Sequence, residues 1–258
     1  MSKQRALVTG ASGGIGLALA RKLAHEGWDL ALVARSREKL EAVADELRAG
    51  GTDVAVFQSD LSTVDAPAKL VSAIEEAGLQ IAMLVNNAGF ATFGLFADLP
   101  LDREVALVNL NVGAVVQLSR LLLPQMISRG GGYILNVAST ASFQPGPLMA
   151  DYYASKAYVL HFSEALANEL AGSGVTVTAL CPGPTESGFQ ERANMEKSKL
   201  LKNGMMSAER VAELGYRGLT KGRTVVVPGF RNKLLSKSYR FVPRSLVAKV
   251  VRAMQEEQ

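Results

Sequence analysis

The chain has 258 residues, 48% apolar and 20% charged, with a net charge of +4. That length holds one large domain with a real core or two small ones, and the composition is that of an ordinary globular protein. The single cysteine, Cys181, excludes an intrachain disulfide, and His25 and His161 are too far apart to suggest a metal-ligand spacing, so no metal is expected.

MSKQRALVTG enters an apolar run almost at once, which argues against a signal peptide. No run of about 18 uncharged apolar residues suggests a membrane span, and the expected compartment is a reducing cytoplasm. RALVTG (5–10) reads as a buried strand and IGLALARKLAHEG (15–27) as a helix closed by Gly27. DLALVAR (29–35) is a second strand. The helix at 36–51 is capped by Ser36 and ends in glycines. DVAVFQSD (53–60) is a strand, 65–78 a helix, and IAMLVNNAG (81–89) a strand ending in polar residues. Residues 101–130 read as one long helix, bent near Pro124. GYILNVAST (132–140) is a fifth strand, 151–174 a helix, VTVTALCPG (175–183) a sixth strand and TVVVPG (224–229) a seventh.

Short uncharged strands alternating with helices predict a doubly wound α/β fold. It has about seven parallel strands, helices on both faces and a three-layer sandwich. No linker or repeat divides the chain, so residues 1–258 are expected to form one domain. A variable substrate lid is expected at 185–206 and a basic C-terminal extension at 230–258. In such sheets ligands bind at the carboxyl ends of the strands, near the switch in strand order.

Three stretches at those ends carry chemistry. TGASGGIG (9–16) sets Gly10, Gly14 and Gly16 between the first strand and the first helix. Glycines there let the backbone approach a pyrophosphate while the helix N-terminus offers free N–H donors. The second strand closes on Arg35, followed by Arg37, with no acid. A guanidinium suits a 2′-phosphate where a carboxylate would take a ribose hydroxyl, which favours NADP(H) over NAD(H). DYYASK (151–156) places Tyr152 at i−4 and Tyr153 at i−3 from Lys156. Both spacings share a helix face, so geometry leaves the choice of tyrosine open.

TGASGGIG, SDL (59–61), NNAG (86–89), LNV (110–112), Ser139, YYASK (152–156) and CPGPT (181–185) occur in this order. The set resembles the short-chain dehydrogenase/reductase (SDR) family over about residues 3–230. The resemblance implies a serine paired with the tyrosine of Y-x-x-x-K, hence Ser139, Tyr152 and Lys156, with Tyr153 on the helix surface or pocket wall. It implies Asn111 as the fourth member, anchoring a water that relays protons through Lys156; Asn109 is the neighbouring alternative. It further implies cofactor contacts from Gly10, Ser12, Gly14, Ile15 and Gly16, from Asp60 and Leu61 at the adenine edge, from Asn87, Ala88 and Gly89, and from Pro182, Gly183 and Thr185 at the nicotinamide end.

The implied chemistry is hydride transfer between nicotinamide and a carbonyl or secondary alcohol. Tyr152 is the acid or base, its pKa expected to be lowered by Lys156 and an oxidised nicotinamide, and Ser139 binds the substrate oxygen. Cys181 reads as a buried small residue. Phe90, Phe93, Phe96, Phe143 and Met149 fall in loops near the expected pocket mouth, as do Phe189, Met195, Met205 and Met206, and they suggest a hydrophobic substrate. A reductase of lipid or acyl-chain metabolism, and a non-catalytic NADP(H)-binding sensor or scaffold, are the alternatives. The resemblance implies a homodimer or homotetramer through the helices at 101–130 and 151–173. Lys221 to Arg252 holds nine cations and no acid. It reads as a solvated face or oligomer contact, or as attraction to an anionic substrate or membrane surface. No nucleic-acid partner is expected.

Overall fold

The computed structural model describes residues 4–188, 204–239 and 242–256. Its main sheet contains β1 (Arg5–Thr9), β2 (Asp29–Ala34), β3 (Val54–Gln58), β4 (Ile81–Asn86), β5 (Gly132–Val137), β6 (Val175–Leu180) and a short edge strand, Val225–Val226. All pair in parallel, in the spatial order β3-β2-β1-β4-β5-β6 and then Val225–Val226. The order reverses between β1 and β4, and the ends of these strands define the ligand edge. This is the doubly wound α/β fold that the strand–helix alternation predicts.

Alternation along each strand sorts side chains onto two cores. In β1, Ala6 and Val8 join Leu19, Leu23, Leu40 and Val211 on one face. Leu7 joins Leu70, Ile74, Leu118 and Leu122 on the other. The first face is covered by α1 (Gly14–His25) and α2 (Arg37–Ala49); the second by α3 (Ala66–Glu76), α5 (Ala114–Ser128) and α6 (Ala150–Glu169).

The predicted helix at 101–130 is interrupted, but not at Pro124. It runs as α4 (Leu101–Val108), a π-helical turn over Asn109–Gly113, and then α5, which carries Pro124 inside it. A π-turn is a wider turn that re-aims its residues, and such turns concentrate at functional sites; this one carries Asn111. By length and composition Leu101–Ser128 is apolar enough to cross a membrane. Its Leu107, Ala114, Leu118, Leu122 and Met126 face is buried, as in the core helix of a three-layer fold.

After β6 a two-residue ladder joins β7 (Thr185–Glu186) to β8 (Met206–Ser207). Most of the expected lid, including Phe189 and Met195, lies outside the described residues. The sequence reading assigns nothing to 207–223, yet α7 (Ala208–Thr220) forms there. The Ser207 side chain caps it by accepting from Arg210 N. Gly215 and Gly218 weaken its helical signature, but they let Leu180 and Val226 pack against it closely. The predicted seventh strand shrinks to β9 (Val225–Val226). Gly229, at φ 86°, turns the chain into α8 (Phe230–Ser238), and α9 (Arg244–Gln255) follows.

Candidate active site

At the switch point a cavity of about 520 Å³ opens along the carboxyl ends of β1, β2, β4, β5 and β6. The glycine-rich loop forms one wall, with Gly10, Ser12, Gly14 and Ile15 lining it. Gly10 and Gly14 have φ of 68° and 55°, a region that side chains disfavour. The start of α1 has no side-chain cap and no acid in its first turn, so its N–H groups are free for an anion. Gly16 does not line the cavity. A Cβ on it would fall on Gly10 O and Asn87 Nδ2, so it serves close packing of helix against strand.

Thr9 and Asn87 hold the switch point together. Thr9 Oγ1 donates to Val85 O at 3.1 Å and accepts from Asn87 N and Ala88 N at 2.9 and 3.0 Å. Asn87 Nδ2 donates to Thr9 O at 2.8 Å. These bonds fix Asn87, Ala88 and Gly89 along the cavity floor. At the far end of β2, Arg35 and Lys39 line the cavity; Arg37 instead pairs with Glu41 along its own helix at 3.5 Å. Lys39 escapes the sequence reading because it lies inside an amphipathic helix start, one turn beyond Arg35. Asp60 and Leu61 line the opposite rim. The Asp60 carboxylate is already held by Ser62, whose hydroxyl and backbone N–H donate at 2.7 and 3.1 Å.

Ser139, Tyr152 and Lys156 meet on the inner wall. Ser139 leaves β5 in extended conformation as the cap of a short 3₁₀ turn, its Oγ accepting from Ala141 N at 3.1 Å. Ser142 Oγ donates to Lys156 O at 2.7 Å, which ties this turn to α6. Lys156 is buried. Its Nζ donates to Val137 O at 2.8 Å and lies 5.9 Å from the Tyr152 ring centroid. Burial pushes Lys156 down to about 8. Burial also pushes Tyr152 up to about 12; its hydrogen bond with Ser139 opposes that and Tyr153 adds to it. Desolvation of the phenolate sets this direction, with the Lys156 ammonium directed at Val137 O; the expected lowering joins Lys156 to an oxidised nicotinamide, and the chain's own groups alone do not produce it.

Asn111 is tied to the wall by its side chain. It is buried, outside the cavity lining, and its Nδ2 donates to both Phe90 O (3.0 Å) and Ser155 Oγ (3.1 Å). Its Oδ1 accepts from Phe90 N at 3.2 Å. Both side-chain donors are committed, so the side chain anchors the backbone of Phe90. Ser155 Oγ in turn donates to Tyr152 O at 2.7 Å, which connects Asn111 to the tyrosine through the backbone. Gly89 keeps this corner open: a Cβ there would sit 3.0 Å from Asn111 Oδ1 and 3.5 Å from Lys156 Nζ.

Pro182, Gly183 and Thr185 line the end beyond β6, joined by Ser187. Thr185 Oγ1 donates to Gly183 O at 2.9 Å. Cys181 is buried, and its thiol is pushed up to about 12, chiefly by burial, as suits a packing residue rather than a nucleophile. Phe90, Gln144, Met149 and Tyr153 line the remaining wall. Tyr153 is buried rather than on the helix surface, and its hydroxyl accepts from Gln255 Nε2 of α9 at 2.7 Å. Phe96 is exposed, and Phe143 packs beside Tyr239 with ring centroids 6.2 Å apart, so the apolar loop residues divide between wall and surface.

The short chain dehydrogenase family model matches residues 4–198. A short chain dehydrogenase of Pseudocercospora fijiensis is 39% identical over 184 residues, 70% of this chain and 60% of that protein. The very-long-chain 3-oxoacyl-CoA reductase of Anas platyrhynchos is 39% identical over 183 residues, 69% of this chain and 58% of that protein. The chain thus matches about three fifths of the length of these relatives. A short-chain dehydrogenase from Sphingobium yanoikuyae, solved in complex with NADPH, superposes with a TM-score of 0.83 at 31% identity, covering 92% of this chain and 94% of that one. With its sheet order, glycine-rich loop and Ser139–Tyr152–Lys156 corner, the chain belongs to the short-chain dehydrogenase/reductase family.

Proposed function

We propose that the protein is an NADP(H)-dependent oxidoreductase interconverting a carbonyl and a secondary alcohol, with Tyr152 as general acid and base. The convergence of Ser139, Tyr152 and Lys156 on one wall of a cavity whose other end is a glycine loop carries this reading. The cavity fits a dinucleotide. The uncapped start of α1 suits a pyrophosphate, and Arg35 with Lys39 suits a 2′-phosphate better than a bare ribose. The NADPH complex of the Sphingobium relative supports the same preference. When bound, the nicotinamide supplies or receives the hydride.

The chain's own groups do the rest. Ser139 Oγ holds the substrate oxygen and stabilises charge developing on it. Tyr152, protonated up to about 12, gives its proton to that oxygen during reduction and becomes a phenolate, and in oxidation the phenolate takes the proton of the alcohol. Lys156 keeps the site cationic below about 8, and Asn111 positions Phe90 and, through Ser155, the start of α6. At neutral pH the phenol is protonated, which is the form that acts as the acid in carbonyl reduction.

Phe90, Met149 and Tyr153 make the substrate end apolar, and we assign a hydrophobic carbonyl compound to it. The name of the Anas relative favours a second reading, a reductase of acyl chains. Leu101, Val105, Val108 and Leu121 are exposed on α4 and α5 and would be covered in a homodimer or homotetramer. A buried free cysteine fits a cytoplasmic protein.

The test is NADPH and NADH oxidation across ketones, aldehydes and acyl thioesters, for the wild type and Tyr152→Phe. Loss of about 10²–10⁴-fold in kcat/KM with NADPH affinity retained supports the assignment. In the same assay, kcat/KM for reduction falls as pH rises past about 8, where Lys156 loses its proton while Tyr152 keeps its own. Tight NADPH binding with no turnover of any carbonyl would instead make the protein a sensor.

A further inference from the structure

Between Glu213 and Glu256 the chain contains no acidic residue and ten Lys or Arg. Within this stretch α8 is turned the wrong way round for a globular protein. Asn232 and Ser236, half-buried, face the body, while Phe230, Leu234 and Leu235 are 82%, 61% and 64% exposed. No residue of α8 is buried. Arg231, Lys233 and Lys237 are exposed between and beside these apolar groups. In α9, Val247, Val251 and Gln255 dock on the body through Met149 and Tyr153, whereas Leu246, Val250 and Met254, four residues apart, form a second exposed apolar stripe beside Lys249 and Arg252. Arg252 pairs with Glu256 at 2.9 Å, at the edge of the patch.

We propose that α8 and α9 dock the protein on an anionic lipid bilayer. Apolar side chains pointing outward among cations match a surface with negative headgroups above hydrocarbon. A second copy of this chain fits poorly, because apposing two faces whose charges are cationic apart from Glu256 at the edge is repulsive. Nucleic acid would satisfy the cations but leave Phe230, Leu234 and Leu235 uncovered. The patch adjoins the substrate end of the cavity: Asn232 lies against Gly183, and α9 shares a core with Met149 and Tyr153. Docking there brings the cavity wall to the membrane surface, where apolar carbonyl compounds partition.

The experiment is flotation of the full chain with vesicles of equal parts phosphatidylcholine and phosphatidylglycerol, against phosphatidylcholine alone, at low and high salt. Binding needs no turnover, so it is read independently of the reaction. The proposal expects binding to the anionic vesicles only, lost at high salt. Lys233→Glu with Lys237→Glu weakens it by on the order of tenfold or more. Phe230→Ser with Leu234→Ser also weakens it, and both pairs keep the wild-type melting temperature because all four side chains are exposed. Absence of binding to anionic vesicles at low salt overturns the proposal, as does binding that either pair leaves intact. Equal capture of duplex DNA, or self-association abolished by the same substitutions, would assign the patch to nucleic acid or to a second copy instead.

Discussion

Around Gly10, Gly14 and Gly89 the cavity wall is backbone; around Met149 and Tyr153 it is side chain. The first wall is assembled from strand ends that the sheet aligns, and short segments specify it. The second depends on α9, whose contact with Tyr153 spans 102 positions of sequence. The difference teaches that the end at the glycine-rich loop is held by main-chain geometry, while the end at Met149 and Tyr153 is held by side-chain packing between elements far apart in sequence. Each end should therefore fail in its own way when altered.

Among changes to the two walls, the largest effect is expected where the nucleotide end uses side chains after all. Replacing Arg35 and Lys39 by alanine removes the two cations that line the rim beyond β2. Hydrogen bonds to charged groups contribute about 1.5–3 kcal/mol, so discrimination for NADPH over NADH should fall by about 10- to 100-fold. Titration of both cofactors into the variant checks this. Unchanged discrimination would move the 2′-phosphate away from Arg35.

Gly16→Ala probes the backbone wall itself. The new methyl meets Gly10 O and Asn87 Nδ2, both fixed by the switch point, so neither yields as a flexible side chain would. Overpacking of this kind costs about 1–3 kcal/mol, expected as a lower melting temperature together with weaker cofactor binding. Loss of binding at full stability would instead place Gly16 in the cavity lining.

The same contrast explains what the sequence discloses. TGASGGIG, NNAG and Y-x-x-x-K are legible because each is local: a turn, a strand end or one helical turn. The sheet is legible because uncharged strands alternate with amphipathic helices. The π-turn at Asn109–Gly113 is not, because any helix-forming sequence of that composition fits the local pattern, and it takes the Phe90 loop to hold Asn111 there. α7 is hidden by glycines whose use is tertiary. The raised pKa of Tyr152 depends on how deeply the phenol is enclosed, which spacing cannot report.

Gln255 is the residue that no local pattern signals, and it gives the finest test. Its Nε2 donates to Tyr153 Oη at 2.7 Å, and its Oε1 is buried without a partner among the described residues. Burial pushes the Tyr153 hydroxyl's pKa up and the bond from Gln255 draws it down, so the phenol stays neutral and serves as acceptor at ordinary pH. Tyr153→Phe leaves the amide donor buried and unpaired, at a cost of about 1–3 kcal/mol. Gln255→Leu removes the amide and its orphan oxygen but leaves the phenol without its donor. Replacing both partners by apolar groups of similar shape is close to neutral, so Tyr153→Phe with Gln255→Leu should be more stable than Tyr153→Phe alone. Thermal melts of the two single variants and the pair close that cycle. Kinetics then separate the two ends of the cavity. A wall held by α9 predicts altered KM for bulky carbonyl substrates in the single variants, with NADPH affinity unmoved. If NADPH affinity falls as well, α9 supports the whole site and the division between a backbone end and a side-chain end does not hold.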